Sequence, residues 1–567
     1  MTRELFPDSP GPGVTVLEYV QAHLDPSGCG LIPEAGDLPG TAREGEIRWM
    51  PGAADGVGTH HSGRGRPDAV VDEIVKLMGQ VISGRSGPPA FGALYEQLRA
   101  TSALSYIDDL IGAVARSALP RSGIHEIGRR IAVTGRHPEP VKAGIALLGI
   151  SGGQEDADLL LTLGRHEELT LYCAVALANS SPDPESALWS LARSVDGWGR
   201  IHTVERLKKT ERDDIQDWLV RDGFRNQVMN EYLAFVAATA GKLLDRLRRP
   251  DPDPDLVRAA RDIATALIAG GPAEDIDDYP DAPGLLSLLV TLMTTRAESL
   301  EDFNAIHGIA GFLRGDDGWD ERYQRGWSSH ERQEALTGCE RILSGPEWPE
   351  RAVAGLQADD DRAFWEASLA ARTLGIDTFD AHWRRLAADP LNGSGWFAVM
   401  QLADEQRITR IVALAEQELP LEAIAAGPAM TLGVGAGFAA ENAMGFILQD
   451  LGRFPGHGWN LVRAGLESRV VRVRNMATRT LNAWPRTAWP AAAAGALKKA
   501  AQAEPNEKTR AFMNQALGGE PIAELPGTPR RPAPVQGPMS TGSPGRQAHP
   551  VRHEIILDYA QRPVGIS

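Results

Sequence analysis

The chain has 567 residues, more than one compact domain normally holds, so it forms either several domains or one extended array of repeats. An apolar fraction of 43% excludes a wholly disordered chain, and a net charge of −17 disfavours nucleic acids and acidic membranes as partners. The three cysteines Cys29, Cys173 and Cys339 lie far apart and offer neither a disulfide framework nor a metal knuckle.

The first 67 residues predict a cap rather than a repeat. VTVLEYVQAHL, residues 14–24, is a short amphipathic segment, whereas IRWMPGAADGVGTHH, residues 47–61, is rich in turn formers and predicts a structured loop that caps the first repeat. MTRELFPDSPGPG lacks the basic-then-apolar pattern of a secretion signal, and the sequence contains no run of eighteen apolar residues. We therefore expect a cytoplasmic protein without a membrane span.

A repeat of about thirty residues follows. VKAGIALLGISGG, LYCAVALANSSPD, RIHTVERLKKTER and NEYLAFVAATAGK begin at Val141, Leu171, Arg200 and Asn230, so successive starts are 30, 29 and 30 residues apart. Another helix-like segment precedes each of them. Two helices and two short turns in thirty residues form the unit of an α-solenoid. The sequence predicts an all-α fold of stacked antiparallel helix pairs that wind into a right-handed superhelix.

Composition divides the chain into five regions. We expect a cap over 1–67 and a first repeat arm over 68–249. An acidic, proline-interrupted junction follows over 250–284, and a second, less regular arm over 285–518. Residues 519–567 are rich in proline and glycine and predict a disordered tail, with HEIILDYA as a small apolar island within it.

Three stretches carry a resemblance: GWGRIHTVERL (197–207), GFRNQVMNEYLA (223–234) and VVRVRNMATRTLNAWP (470–485). Together they resemble a bacterial family of HEAT-repeat proteins without an established biochemical role, some members of which carry the transferred name limonene hydroxylase. The resemblance runs from about residue 68 to 518, plus the loop at 47–61. It implies a HEAT-like solenoid and no agreed active-site motif. The inherited name implies an oxidoreductase with a nucleotide cofactor as the alternative.

Two strings match enzyme motifs. TLGVGAGFAAEN places Gly435, Gly437 and Ala440 in the G-x-G-x-x-A pattern of dinucleotide-binding folds, but strands and helices do not alternate around it. GISGG, with Ser151 at its centre, fits the nucleophile elbow of hydrolases, yet helix-like segments flank it on both sides. A chance match explains the first string and a turn between two helices the second, so we expect no cofactor and no catalytic serine.

Metal sites are weakly indicated. His60 and His61 are adjacent, and adjacent side chains usually diverge too far to bind one ion. Asp251, Asp253 and Asp255 are reminiscent of a calcium loop, but prolines separate them and the expected glycine and glutamate are missing. We expect no bound metal.

The remaining candidate is a polar, aromatic-lined concave face, because residues one repeat apart become neighbours in a solenoid. Its predicted members are Trp198, Arg200, His202, Glu205, Arg206, Asn226, Asn230 and Glu231. An ion pair between Arg200 and Glu231 is expected across the repeats. Such residues either bind a protein or peptide partner or form a ladder that bridges adjacent repeats, and a ladder is also expected for Arg472 and Arg474. The functional hypothesis is a non-catalytic interaction scaffold.

Overall fold

A computed structural model of the chain describes residues 13–26, 30–40, 50–61, 68–84, 88–271, 273–433 and 436–519. These residues form helices joined by turns, and their only extended pairings are two isolated bridges, Leu24 with Leu31 and Thr431 with Val470. The all-α prediction is therefore confirmed for the described part of the chain. The predicted tail beyond Gly519, including HEIILDYA, lies outside it.

The described residues divide into two compact units, which separate between Gly345 and Pro346. The helices of the first unit are α1 Val16–Ala22, α2 Ala53–His61, α3 Asp68–Ser83, α4 Pro88–Ala100, α5 Ile107–Arg116, α6 Arg121–Thr134, α7 Pro138–Ser151, α8 Ala157–Leu163, α9 Glu167–Ser180, α10 Pro184–Ala192, α11 Gly197–Val204, α12 Asp213–Trp218, α13 Glu231–Ala240, α14 Leu243–Leu247, α15 Pro254–Ala269, α16 Ala282–Arg296, α17 Leu300–Arg314, α18 Trp319–Gln324 and α19 Ser329–Leu343.

The helices of the second unit are α20 Trp348–Gly355, α21 Asp361–Thr373, α22 Phe379–Ala388, α23 Gly393–Gln401, α24 Ile408–Glu418, α25 Leu421–Ile424, α26 Ala439–Leu451, α27 Trp459–Leu466, α28 Val471–Ala483, α29 Ala493–Ala503 and α30 Glu507–Gly518.

The thirty-residue period is visible in the helices from α6 to α13. The four predicted repeat segments coincide with α7, α9, α11 and α13, and the preceding segments coincide with α6, α8, α10 and α12. Local signals set these boundaries: Pro184 opens α10, and the side chain of Asp183 accepts the N–H of Ser186 at 3.1 Å. In the series α7, α9, α11, α13 and α15, each helix packs against the next, as neighbouring repeats would.

The predicted junction at 250–284 lies within the first unit. Asp253 caps α15 by accepting the N–H of Leu256, and both of its carboxylate oxygens bind the Arg221 guanidinium at 2.8–2.9 Å. Asp251 pairs with Arg296 at 2.9 Å. The aspartates that resembled a calcium loop therefore pair with arginines and cap a helix.

Arginines join segments that lie thirty residues apart in sequence, as the ladder interpretation predicts. Arg474 is fully buried, and its guanidinium binds both carboxylate oxygens of Glu504, thirty residues further on, at 2.6 and 2.7 Å. Arg472 donates to the side-chain oxygen of Asn442, thirty residues earlier, at 2.9 Å. The predicted ladder at Arg472 and Arg474 is therefore confirmed.

Candidate functional site

Helix α2 lies on the repeat helices α9 and α11. The sequence predicts a structured loop that caps the first repeat. The structure instead gives a short helix over residues 53–61, which contacts α7 of the first repeat through Asp55 and Lys142 and also contacts the later helices α9 and α11. Gly52 donates its N–H to the carboxylate of Glu168 at 2.8 Å. The chain therefore lays one of its own N-terminal segments across the helices that carry the predicted binding residues.

A buried lysine lies under α2. Lys142 of α7 is 2% exposed, and its ammonium group contacts Asp55 of α2 at 2.8 Å, Glu139 of α7 at 3.0 Å and Glu168 of α9 at 2.6 Å. Burial opposes its charge, but the surrounding groups, Asp55 first, outweigh burial and raise the pKa of Lys142 well above its usual value. This ion cluster joins three elements that are distant in sequence.

Asp55, within this cluster, and Glu167, next to Glu168, have raised pKa values. Burial, only partly offset by Lys142, raises the pKa of Asp55 to about 6. Burial and then the nearby Asp196 raise the pKa of Glu167 to about 8, although its carboxylate accepts backbone N–H groups at the start of α11. Such groups concentrate at functional sites. Asp55 and Glu167 both lie where the segment around α2 meets α9. At this contact, Gly52 packs closely against the Glu167 carbonyl.

Two buried tyrosine hydroxyls border the ion cluster. Tyr172 of α9 is 4% exposed, and its ring centroid lies 5.5 Å from the Lys142 ammonium group. Tyr106 precedes α5 and is 1% exposed, and after burial the charge of Glu139 contributes most to the raised pKa of its phenol. Neither hydroxyl has a hydrogen-bond partner among the described residues. Both phenols stay protonated at neutral pH and can donate to a polar group.

Trp198, which the sequence predicts to offer aromatic surface, is covered by α2. It is 5% exposed, and a Cβ added to Gly56 would lie 2.2 Å from its Cδ2 atom, so only glycine fits there. The ring centroids of Trp198 and Tyr232 are 5.1 Å apart. We call the surface formed by Lys142, Glu168, Tyr172 and Trp198 the Lys142 face.

Most of the other predicted site residues make contacts that hold segments of this chain together. Arg200 donates to the carbonyls of Val195 at 3.0 Å and Arg225 at 3.2 Å, and the ion pair that the structure gives it is with Asp222, not with the expected Glu231. These contacts join α11 to the turn before α13, as a ladder residue would.

The asparagines belong to the same turn. The side-chain oxygen of Asn226 accepts the N–H groups of Val228 and Met229 at 2.9 and 2.8 Å, and that of Asn230 accepts the N–H of Asn226 at 3.2 Å. They hold the turn in shape. His202 is buried in α11, whereas Glu205 and Glu231 are half-buried.

An open cleft borders Arg206, the remaining member of the predicted site. It has a volume of about 510 Å³ and lies among α9, α10 and the turn after α11. Its lining residues include Val175, Ala178, Asn179, Leu188, Arg206 and Lys209. Val175 is 40% exposed, and it follows Tyr172 by one turn on α9. We call this feature the Arg206 cleft.

The motif-based alternatives have local explanations. Ser151 is buried at the last turn of α7 and donates to the Leu147 carbonyl at 2.6 Å, which confirms the predicted helix end. Gly435 lies outside the described residues. Gly437 lies in a turn before α26, and in the first turn of that helix Glu441 is buried and pairs with Arg469 at 2.6 Å. A carboxylate therefore occupies the helix start where a dinucleotide would place its pyrophosphate.

One cluster has side chains of metal-binding type. His125, Glu155 and Asp156 approach one another, but Asp156 is fully buried and binds both His125, at 2.7 Å, and the Arg129 guanidinium. The Asp156 carboxylate is therefore already paired with the Arg129 guanidinium. The side chains of His60 and His61, at the end of α2, lie outside the described part of the structure, as does Cys29.

Sequence reasoning missed the ion cluster itself. A signal was present, since Lys142 is the one charge within the apolar run VKAGIALLGI, and Asp55 stands alone among small residues in GAADGVG. A lone charge on a buried helix face requires a partner.

None of the helices in the described part of the chain is both long and apolar enough to cross a lipid bilayer. Comparison with protein-family models, with curated proteins and with solved structures gives no match. The resemblance to HEAT-repeat proteins therefore stays a prediction, and the functional argument depends on the geometry of this chain.

Proposed function

We propose that this protein is a non-catalytic, HEAT-like α-solenoid scaffold that binds a protein or peptide on its concave face, where α7, α9, α11 and α13 follow one another. The observation that carries the proposal is α2 itself. A helical segment of this chain lies on α9 and α11, with its carboxylate on Lys142 and a glycine against Trp198. A surface that accepts one helix in this way is suited to accept another.

The Arg206 cleft lies on the same helix α9, toward its C-terminal end. Its volume of about 510 Å³ lies in the range of known ligand clefts, and the exposed apolar side chain of Val175 and the charged side chains of Glu185, Arg206 and Lys209 help to line it. The charge of the chain makes nucleic acid an unsuitable partner. We also propose that the protein acts in the cytoplasm, which agrees with the two free, buried thiols of Cys173 and Cys339.

Site-specific photo-crosslinking in cells that naturally produce the protein tests this proposal. A benzophenone amino acid replaces Val175, which is 40% exposed in the cleft, and crosslinked peptides are identified by mass spectrometry. Val353 on α20, which is 48% exposed, is the matched control. We expect a defined partner to crosslink from position 175 and not from position 353. Identical crosslinking from both positions, or a stoichiometric flavin, heme or nicotinamide in the purified native protein, would contradict the proposal.

A further inference from the structure

We propose that residues 50–61 are a built-in, displaceable ligand of the Lys142 face, and that the partner binds there as a short helix carrying an acidic residue followed by glycine. This inference rests on the proposed function, because it names the chemistry of the partner that the scaffold takes. It assigns α2 the role of an intramolecular competitor, which must leave before the partner can bind.

The sequence of α2 makes its helix dependent on docking. The helix has only nine residues, AADGVGTHH, and two of them are the glycines Gly56 and Gly58. Glycine is a poor helix former, and isolated helices of this length are unstable in water. Contacts with the rest of the first unit must therefore supply the stability of α2. A segment with this property unfolds when those contacts are replaced.

Three contacts define what the Lys142 face recognises. The Asp55 carboxylate lies 2.8 Å from the Lys142 ammonium group, and the next residue, Gly56, lets the helix backbone approach Trp198. One turn earlier, the N–H of Gly52 donates to Glu168 at 2.8 Å. The spacing of Gly52 and Gly56 places both glycines on one side of the segment, so small residues face the scaffold and an acid reaches the buried cation. A partner helix must reproduce this pattern.

The buried tyrosines indicate that α2 does not use the whole face. The hydroxyls of Tyr106 and Tyr172 border the ion cluster, are shielded from solvent and lack hydrogen-bond partners among the described residues. A buried donor without a partner is costly. A ligand with a longer acid, such as glutamate, could reach a hydroxyl that Asp55 does not. The resident helix is thus an incomplete ligand, and a better fitting one can replace it.

A peptide added in trans tests the proposal. A fluorescein-labelled peptide of residues 50–61 is titrated with the full chain, and binding is followed by fluorescence anisotropy. In the wild type the tethered α2 competes at an effective concentration of the order of 1 mM, so the free peptide should bind weakly. Gly56→Leu places a side chain against Trp198 and should expel α2, while all four residues of the Lys142 face keep their identity. We expect this variant to bind the peptide at least about tenfold more tightly than the wild type does.

Two controls make the result specific. Gly92→Leu introduces the same side chain on α4, where a Cβ meets nothing within 4 Å, and should leave peptide affinity at the wild-type value. A peptide in which lysine replaces Asp55 should bind Gly56→Leu at least about tenfold more weakly, because a second cation would then face the buried Lys142. If Gly56→Leu does not fold, Gly56→Ala introduces the same clash with a smaller side chain.

The proposal is overturned if the folded Gly56 variant fails to bind the peptide, if the wild type binds it equally well, or if the lysine peptide binds as tightly. These failures are distinguishable from failure of the scaffold proposal. A partner that crosslinks at position 175 while the peptide does not bind leaves the scaffold standing and removes only the role of α2. Peptide binding without any crosslinked partner would support the role of α2 and contradict the scaffold proposal.

Discussion

Lys142 is the residue whose replacement has the most predictable energetic effect. Its side chain is 2% exposed, and its ammonium group lies within 3.0 Å of three carboxylates, from α2, α7 and α9. In Lys142→Met the apolar stem is kept and the charge is lost, so three carboxylates face one another without a cation. Removing one partner of a buried ion pair costs about 3–5 kcal/mol. We expect the free energy of unfolding to fall by about that amount near pH 7.

Urea denaturation followed by circular dichroism and tryptophan fluorescence measures this loss. The matched control is Lys76→Met on α3, where Lys76 and Glu73 form an exposed ion pair at 2.9 Å that is worth about 0.5 kcal/mol or less. Adding Asp55→Asn to Lys142→Met removes one of the uncompensated charges and should restore part of the stability. If Lys142→Met costs no more than Lys76→Met, the buried ion cluster does not hold α2, and the reasoning is refuted.

Three further predictions concern single groups. The pKa of Asp55 is about 6 in the folded protein and 3.8 in an unfolded chain, so the stability that this group adds is present at low pH and is lost as the pH rises through 6. The wild type should therefore gain about 1 kcal/mol between pH 7 and pH 5 that Asp55→Asn does not, as measured by urea midpoints at each pH. Arg200→Ala should lower the free energy of unfolding by about 1–2 kcal/mol, because its guanidinium donates to three backbone carbonyls, and an unchanged melting temperature would contradict the ladder interpretation. Arg474→Met should lower the free energy of unfolding of the second unit by about 3–5 kcal/mol, and the double variant Arg474→Met with Glu504→Met should lower it much less. Equal losses in the single and the double variant would exclude an energetic link between Arg474 and Glu504.

The all-α fold and the repeat could be predicted because their signals are local. The apolar spacing within α7 or α9 and the capping by Asp183 and Gly152 involve only residues close in sequence. The period emerged because Val141, Leu171 and their counterparts recur at nearly constant intervals. Where the compact units separate depends on long-range contacts instead, and the composition of residues 250–284 carries no information about those.

The candidate site was only partly predictable. Trp198 and Arg206 were named from the sequence, and the structure places them at the Lys142 face and at the Arg206 cleft. A cap formed by residues 47–61 was predicted, but its helix and its contacts with α9 and α11 were not, since its glycines argue locally against a helix and its contact with Glu168 joins residues 116 positions apart. The roles of Arg200 and Asn226 depend on which carbonyl or N–H lies nearby, and a periodic pattern does not specify that.

The most direct test compares crosslinking at position 175 in the wild type and in Gly56→Leu, with Gly92→Leu as the control, in the same cells. If α2 covers the face that a partner uses, expelling it raises the yield of the crosslinked partner severalfold, and the control stays at the wild-type yield. An unchanged or lower yield in a folded Gly56→Leu protein would contradict the account.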